Sequence, residues 1–191
     1  MKRFLALFAV LTSLAVVRAD VEDYKIDPVH SSVGFTIRHF VSKVPGVFTK
    51  VSGTIAVDRQ NLENSSVEAT IEAASFDTQN DRRNAHVMSD AFLDVAKYPL
   101  ITFKSKSWKK TGEDHFAVTG DLTIHGVTKE VVLDTQLLGF GEGMGGVQLS
   151  GWEITTTLKK SDFGVDGPAM LAKALGDEVA VHITIEADYK K

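Results

Sequence analysis

Cysteine is absent from all 191 residues. No disulfide can staple the fold, so its stability must come from its core. The same absence removes every thiolate metal set and any lipoprotein anchor. Positive charge is also scarce. Once an N-terminal leader carrying three of the 21 Lys and Arg residues is set aside, 18 basic residues face 25 acidic ones, a formal charge of −7. Such a surface argues against nucleic acid as a partner and against general adhesion to anionic membranes. Beyond the leader, no stretch is long and apolar enough to cross a bilayer. Rossmann, P-loop and GxSxG patterns are missing too, which leaves no recognisable frame for dinucleotide, phosphoryl or acyl-transfer chemistry.

What is present begins with that leader. Lys2 and Arg3 precede an apolar run from Phe4 to Val17, and Val17-Arg18-Ala19 sets small residues before Asp20. Residues 1–19 thus read as a secretory signal peptide and 20–191 as one domain. An exported chain without cysteine fits a Gram-negative periplasm best. After a short acidic lead-in (Asp20 to Asp23), Tyr24 to Pro28 starts the fold. From Ser31 to His39 the pattern then alternates strictly: Val33, Phe35, Ile37 and His39 share one face. Similar runs follow at 47–58, 67–73, 100–108, 116–124, 127–138, 147–158 and 179–189. About eight strands with turn residues between them make an antiparallel all-β barrel or sandwich.

One stretch breaks the β pattern. Asp77 to Phe103 combines Asp81, Arg82, Arg83, Asn84 and His86 with spaced Val87, Met88, Phe92 and Val95. It reads as one or two short helices that lay an apolar face on the sheet and end at Pro99. A second short helix is expected at Pro168 to Leu175, with Pro168 suited to a first turn and Gly176 to the stop. The glycine-rich run Gly139 to Gly146 reads as a hairpin tip. An eight-stranded barrel either fills with its own side chains or holds one small ligand. Small residues on the apolar faces (Ala69, Ala73, Gly120, Gly151, Ala187) are compatible with both outcomes, and pattern alone leaves the choice open.

Asp27-Pro28-Val29-His30-Ser31 followed by Phe35-Thr36-Ile37-Arg38-His39 resembles the opening of the YceI-like family. Gly46-Val47-Phe48, Arg83 to His86, Asp90 to Phe103, Gly120 to Lys129 and Asp162-Phe163-Gly164-Val165 extend the resemblance over nearly the whole chain after the leader. It departs at Asn84, where the family often has an acidic residue, and at Lys160, where it tends to have Arg. The resemblance implies an eight-stranded lipocalin-like barrel with one or two covering helices, exported and binding a polyisoprenoid or similar long-chain amphiphile. The ligand implied is an isoprenoid quinone or polyprenyl phosphate, with no other cofactor. The candidate lumen is then Val33, Phe35, Ile37, His39, Phe48, Val51 and Ile71, with Phe92, Ile101, Phe103, Leu122, Ile124, Phe163, Val181 and Ile183. Arg82, Arg83, Asn84, His86 and Lys160 are the headgroup candidates at the mouth. A homodimer and a transient membrane contact are compatible with this reading.

Enzymatic chemistry is not expected. The histidines show no HxH or HExxH spacing, so no metal is expected either. Asp27, His30 and Ser31 suit a turn before the first long strand better than a catalytic set. The alternative to a lipid carrier is a stress-related structural or interaction protein whose barrel is solid.

Overall fold

Alternating apolar residues become sheet wherever both neighbours can be paired, and here pairing runs full circle. The computed structural model describes residues 21–189, so the expected leader lies outside it. Its strands are β1 (Val21–Ile26), β2 (Ser32–His39), β3 (Ser42–Phe48), β4 (Val51–Asp58), β5 (Ser66–Glu72) and β6 (Phe76–Asp77). After helix α1 (Asp81–Met88) come β7 (Leu100–Gly112), β8 (His115–Ile124), β9 (Val127–Glu142), β10 (Gln148–Lys159) and β11 (Leu175–Tyr189).

The eleven segments form one closed, eight-stranded antiparallel barrel. β11 pairs with β2 along its first half and with β1 at its end, while β4 pairs with β1 and β3 with β2. Thus β1 and β2 act as one bent strand, β3 and β4 as another, and β6 prolongs β5. The barrel closes through β1, which touches both β4 and β11. Closure removes the exposed edges that an open sheet would leave.

The bend between β1 and β2 is pinned by side chains. Asp27 Oδ1 accepts from the Val29 amide at 2.7 Å, Asp27 Oδ2 lies 2.6 Å from His30 Nδ1, and the Ser31 hydroxyl donates to the Glu186 carbonyl at 3.1 Å. The hydrogen bond to His30, then the Val29 amide, holds the Asp27 carboxyl below the usual carboxylate range. The same bond to Asp27 raises His30 above an ordinary imidazole. A raised His stabilises below its unfolded pKa and loses that contribution as pH rises through its folded one. A lowered Asp stabilises above its unfolded pKa and loses that as pH falls through its folded one. The turn is therefore tightest between the two ordinary values, 3.8 and 6.5. Protection of the Val29 amide in hydrogen exchange should fall on both sides of that window, and His30→Ala should erase the alkaline fall.

Four local expectations change. The acidic lead-in is already strand: Tyr24 and Ile26 are buried while Asp23 and Lys25 lie exposed on the other face, a pattern too short to read alone. The run 47–58 divides at Thr49 and Lys50, and its first part starts upstream at Ser42. No helix spans Pro168 to Leu175. Only a 3-10 turn at Ala169–Leu171 forms, because Leu175 is drawn into β11 opposite His39 and so short a helix is marginal by itself. The glycine-rich tip shrinks, since Gly139 and Gly141 pair with β10 and carry Phe140 into the core.

Candidate functional site

The barrel encloses a cavity of about 370 Å³ whose wall is almost wholly apolar. One end is shut by aromatic packing. Trp108 and Trp152, 5% and 1% exposed, meet edge-to-face at 5.4 Å, and both reach the cavity wall. Behind them Tyr24 is fully buried against Phe140 and Tyr189. Its hydroxyl donates to Glu22 at 2.8 Å and accepts from Arg59 at 2.6 Å. Burial, reinforced by the bond to Glu22, pushes that hydroxyl's pKa up. The Arg59 guanidinium caps the plug 4.3 Å above the Phe140 ring, a cation–π contact.

The other end is covered rather than sealed. Phe92 and Leu93, from the segment after α1, pack with Phe163 and Val165, which follow β10, and Val87 of α1 joins them. Gly167 makes this joint close. Its φ is +74°, and a Cβ there would sit 2.2 Å from the Phe92 ring, so only glycine lets the two covering segments touch.

All fifteen residues expected at the lumen stand on the cavity wall. β2 supplies Val33, Phe35, Ile37 and His39. Phe48, Val51 and Ile71 follow from β3, β4 and β5. Ile101 and Phe103 come from β7, Leu122 and Ile124 from β8, Val181 and Ile183 from β11, and Phe92 and Phe163 from the cover. Phe35 stacks on Phe76 at 5.3 Å, and Phe48 tilts against it at 5.7 Å. Of the small residues, only Ala69 opens onto the cavity. Gly120 is filled over by the Phe103 ring, which a Cβ would meet at 2.5 Å, and Ala73 and Ala187 are packed away in the core.

The expected mouth residues divide. Arg83 and Lys160 reach the cavity wall, whereas Arg82, Asn84 and His86 do not. Arg83 donates from Nε to Thr78 Oγ1 and from Nη2 to the Thr78 carbonyl, both at 2.7 Å. Thr78 Oγ1 donates onward to Asn84 Oδ1 at 2.6 Å, and Asn84 Nδ2 donates to Asp77 at 2.9 Å. Asn84 therefore orients Arg83 through Thr78. Lys160 Nζ donates to the Asp166 carbonyl at 3.1 Å. Among the described residues, neither cation pairs with a carboxylate within 4 Å. A desolvating apolar tunnel that ends in two such cations can bury an alkyl chain and meet an anionic or polar head.

A YceI-like domain profile matches residues 24–187. The chain belongs to the YceI-like family. It is 38% identical to a UPF0312 protein of Pseudomonas syringae pv. tomato, with both chains covered in full. Protein YceI of Escherichia coli O17:K52:H18 is 39% identical, with 88% of each chain covered. Among solved structures, Burkholderia cenocepacia BcnA superposes with a TM-score of 0.77 at 26% identity, over 85% of this chain and 99% of that one.

In this YceI-like chain, Arg82 is exposed and His86 packs edge-on to Phe92 at 5.2 Å, steadying the cover. Asp27, His30 and Glu186 bring one potential ligand atom each within 4.8 Å of one another. Histidine spacing could not show this group, because Glu186 arrives from β11. The short Asp27–His30 contact already satisfies those two groups.

Proposed function

We propose that this YceI-like chain is an exported, periplasmic binding protein that carries a polyisoprenoid or similar long-chain amphiphile, an isoprenoid quinone or a polyprenyl phosphate, without turning it over. The observation that carries this reading is the apolar cavity of about 370 Å³ shut at one end by Trp108 and Trp152. Ligand pockets span roughly 300–1,000 Å³. Left dry, a void of about 370 Å³ at ~24 cal/mol per Å³ corresponds to roughly 9 kcal/mol as an upper bound. That is comparable with a domain's whole net stability of about 5–15 kcal/mol. An alkyl chain in the same space contributes about 0.8 kcal/mol per buried CH₂. A polyisoprenoid-binding domain from Saccharophagus degradans shares the fold, with a TM-score of 0.66 at 19% identity over 87% of this chain and 98% of that one.

A solid barrel acting only as an interaction scaffold would need side chains where the cavity lies, and the cavity stands against it. The carrier reading is tested by native mass spectrometry of the protein recovered after export. A long-chain lipid at near one equivalent is expected, leaving on organic extraction. Protein that carries no lipid and takes none up from an isoprenoid quinone or polyprenyl phosphate would refute the carrier reading.

A further inference from the structure

At the covered end of the barrel, the β2–β3 hairpin breaks three local rules at once. Its two-residue turn is Phe40-Val41, and Phe40 sits at φ +49°, in the left-handed region that bulky residues avoid and that such turns normally give to glycine. Both apolar side chains face outward, Phe40 at 60% exposure and Val41 at full exposure. One pair below the His39–Ser42 pair that closes the turn, Arg38 lies opposite Lys43, a like-charge cross-strand pair that is unfavourable in water. Local rules broken together, for no more inside the fold than an edge-on contact of Phe40 with His39 at 4.9 Å, mark a surface meant to meet something else.

The turn is held in this shape. The Phe40 amide donates to the Ala174 carbonyl at 2.6 Å, and Arg38 Nη1 donates to the Phe40 carbonyl at 3.0 Å. The first bond joins the tip to the segment bearing Met170, 87% exposed, and the exposed Lys173. A rim results in which Phe40, Val41 and Met170 stand among Arg38, Lys43 and Lys173. No acidic residue occurs between Asp27 and Asp58, although the chain as a whole is acidic. His39 and Val44, the next inward residues of the hairpin, are already cavity wall.

We infer that this rim docks on an anionic phospholipid bilayer and brings the covered mouth to the surface from which ligand enters and leaves. The inference rests on the carrier reading and adds how the carrier is loaded. Three apolar side chains can enter the headgroup boundary, while three cations meet the anionic leaflet, each worth about a fivefold gain in partitioning. The acidic remainder of the surface is repelled and so helps set the orientation.

The test is co-sedimentation with vesicles of phosphatidylcholine alone or with a large share of phosphatidylglycerol. It uses protein recovered after export, with intact mass checked. Wild type should partition at least tenfold better onto the anionic vesicles, and added salt should weaken this. Phe40→Ser with Val41→Ser, Met170→Ser alone, and Arg38→Gln with Lys43→Gln should each reduce partitioning, the two doubles by about tenfold or more. All of these positions are exposed, so lipid held in solution, read by native mass spectrometry, should stay at the wild-type level. Equal binding to both vesicle types, or variants that partition like wild type, would overturn the docking rim while leaving the carrier reading intact. Rim-dependent binding to anionic vesicles by a protein that never holds lipid would leave the rim and remove the carrier reading. If the serine variants change the oligomeric state and not the partitioning, the rim is a contact between copies and the inference is wrong.

Discussion

Substituting Trp for Ala69 is expected to strip the barrel of its lipid and leave the fold intact. Ala69 lies on β5, paired with Gly53 and Phe103, and its methyl is one of the few small groups on the cavity wall. An indole at this position projects into open space and not into packed atoms, so the usual overpacking penalty of about 1–3 kcal/mol should be largely avoided. It takes room that a ligand chain would use. Displacing about four CH₂ groups at ~0.8 kcal/mol each removes roughly 3 kcal/mol of binding, a loss of more than a hundredfold. The sign of the stability change separates this from simple damage. Against delipidated wild type, Ala69→Trp should melt at a higher temperature, because it fills a void. Against lipid-loaded wild type it should melt lower, because bound ligand stabilises by mass action. Calorimetry of the three preparations, with lipid measured in each extract, reads both comparisons. Wild-type lipid content in the variant would mean that the chain does not occupy this cavity.

The wall of that cavity was legible because period-2 alternation survives across most of the barrel. Val33, Phe35, Ile37 and His39 fall on one face in the sequence and on one wall in the fold. The closed end was not legible, and the reason is geometric. Bulges at Lys106 in β7 and at Leu138 in β9, opposite Gly151 and Trp152 of β10, shift the strand register by one. Phe103 and Trp108 therefore face inward although their spacing is odd, and a reading in strict alternation sends Trp108 to the solvent. Likewise, Leu138 is the extra residue that lets Leu137 and Phe140 both reach the core. At the mouth, sequence placed Arg82, Arg83, Asn84 and His86 together because they are close in the chain. A helix turns successive residues about 100° apart, so Arg82, Arg83 and Asn84 cannot share a direction. Only Arg83 meets the cavity, while Asn84 is consumed by Thr78 and Asp77. The Phe40-Val41 rim went unread because exposed apolar turn residues have no periodic signature.

Replacing Arg83 by Gln and Lys160 by Met should make the carrier indifferent to the charge of its ligand's head. Each cation lies on the cavity wall, and its hydrogen bonds in the fold are to neutral oxygens, Thr78 for Arg83 and the Asp166 carbonyl for Lys160. Neutral acceptors orient the two groups without neutralising them, so their charge stays available to an anion. A hydrogen bond to a charged partner contributes about 1.5–3 kcal/mol. Each substitution should thus weaken a polyprenyl phosphate about tenfold or more, and the pair about a hundredfold if the two act independently. An uncharged polyprenol of equal length should change by less than a few fold, since the wall that holds its chain is untouched. Because Asn84 positions Arg83 only through Thr78, Asn84→Ala should show a weaker form of the same selectivity change, with some loss of helix stability. Competition between phosphate and alcohol for one fluorescent polyene probe measures the ratio directly. Equal losses for both ligands would assign Arg83 and Lys160 to the architecture of the mouth, and unchanged affinities would place the ligand's head away from them altogether.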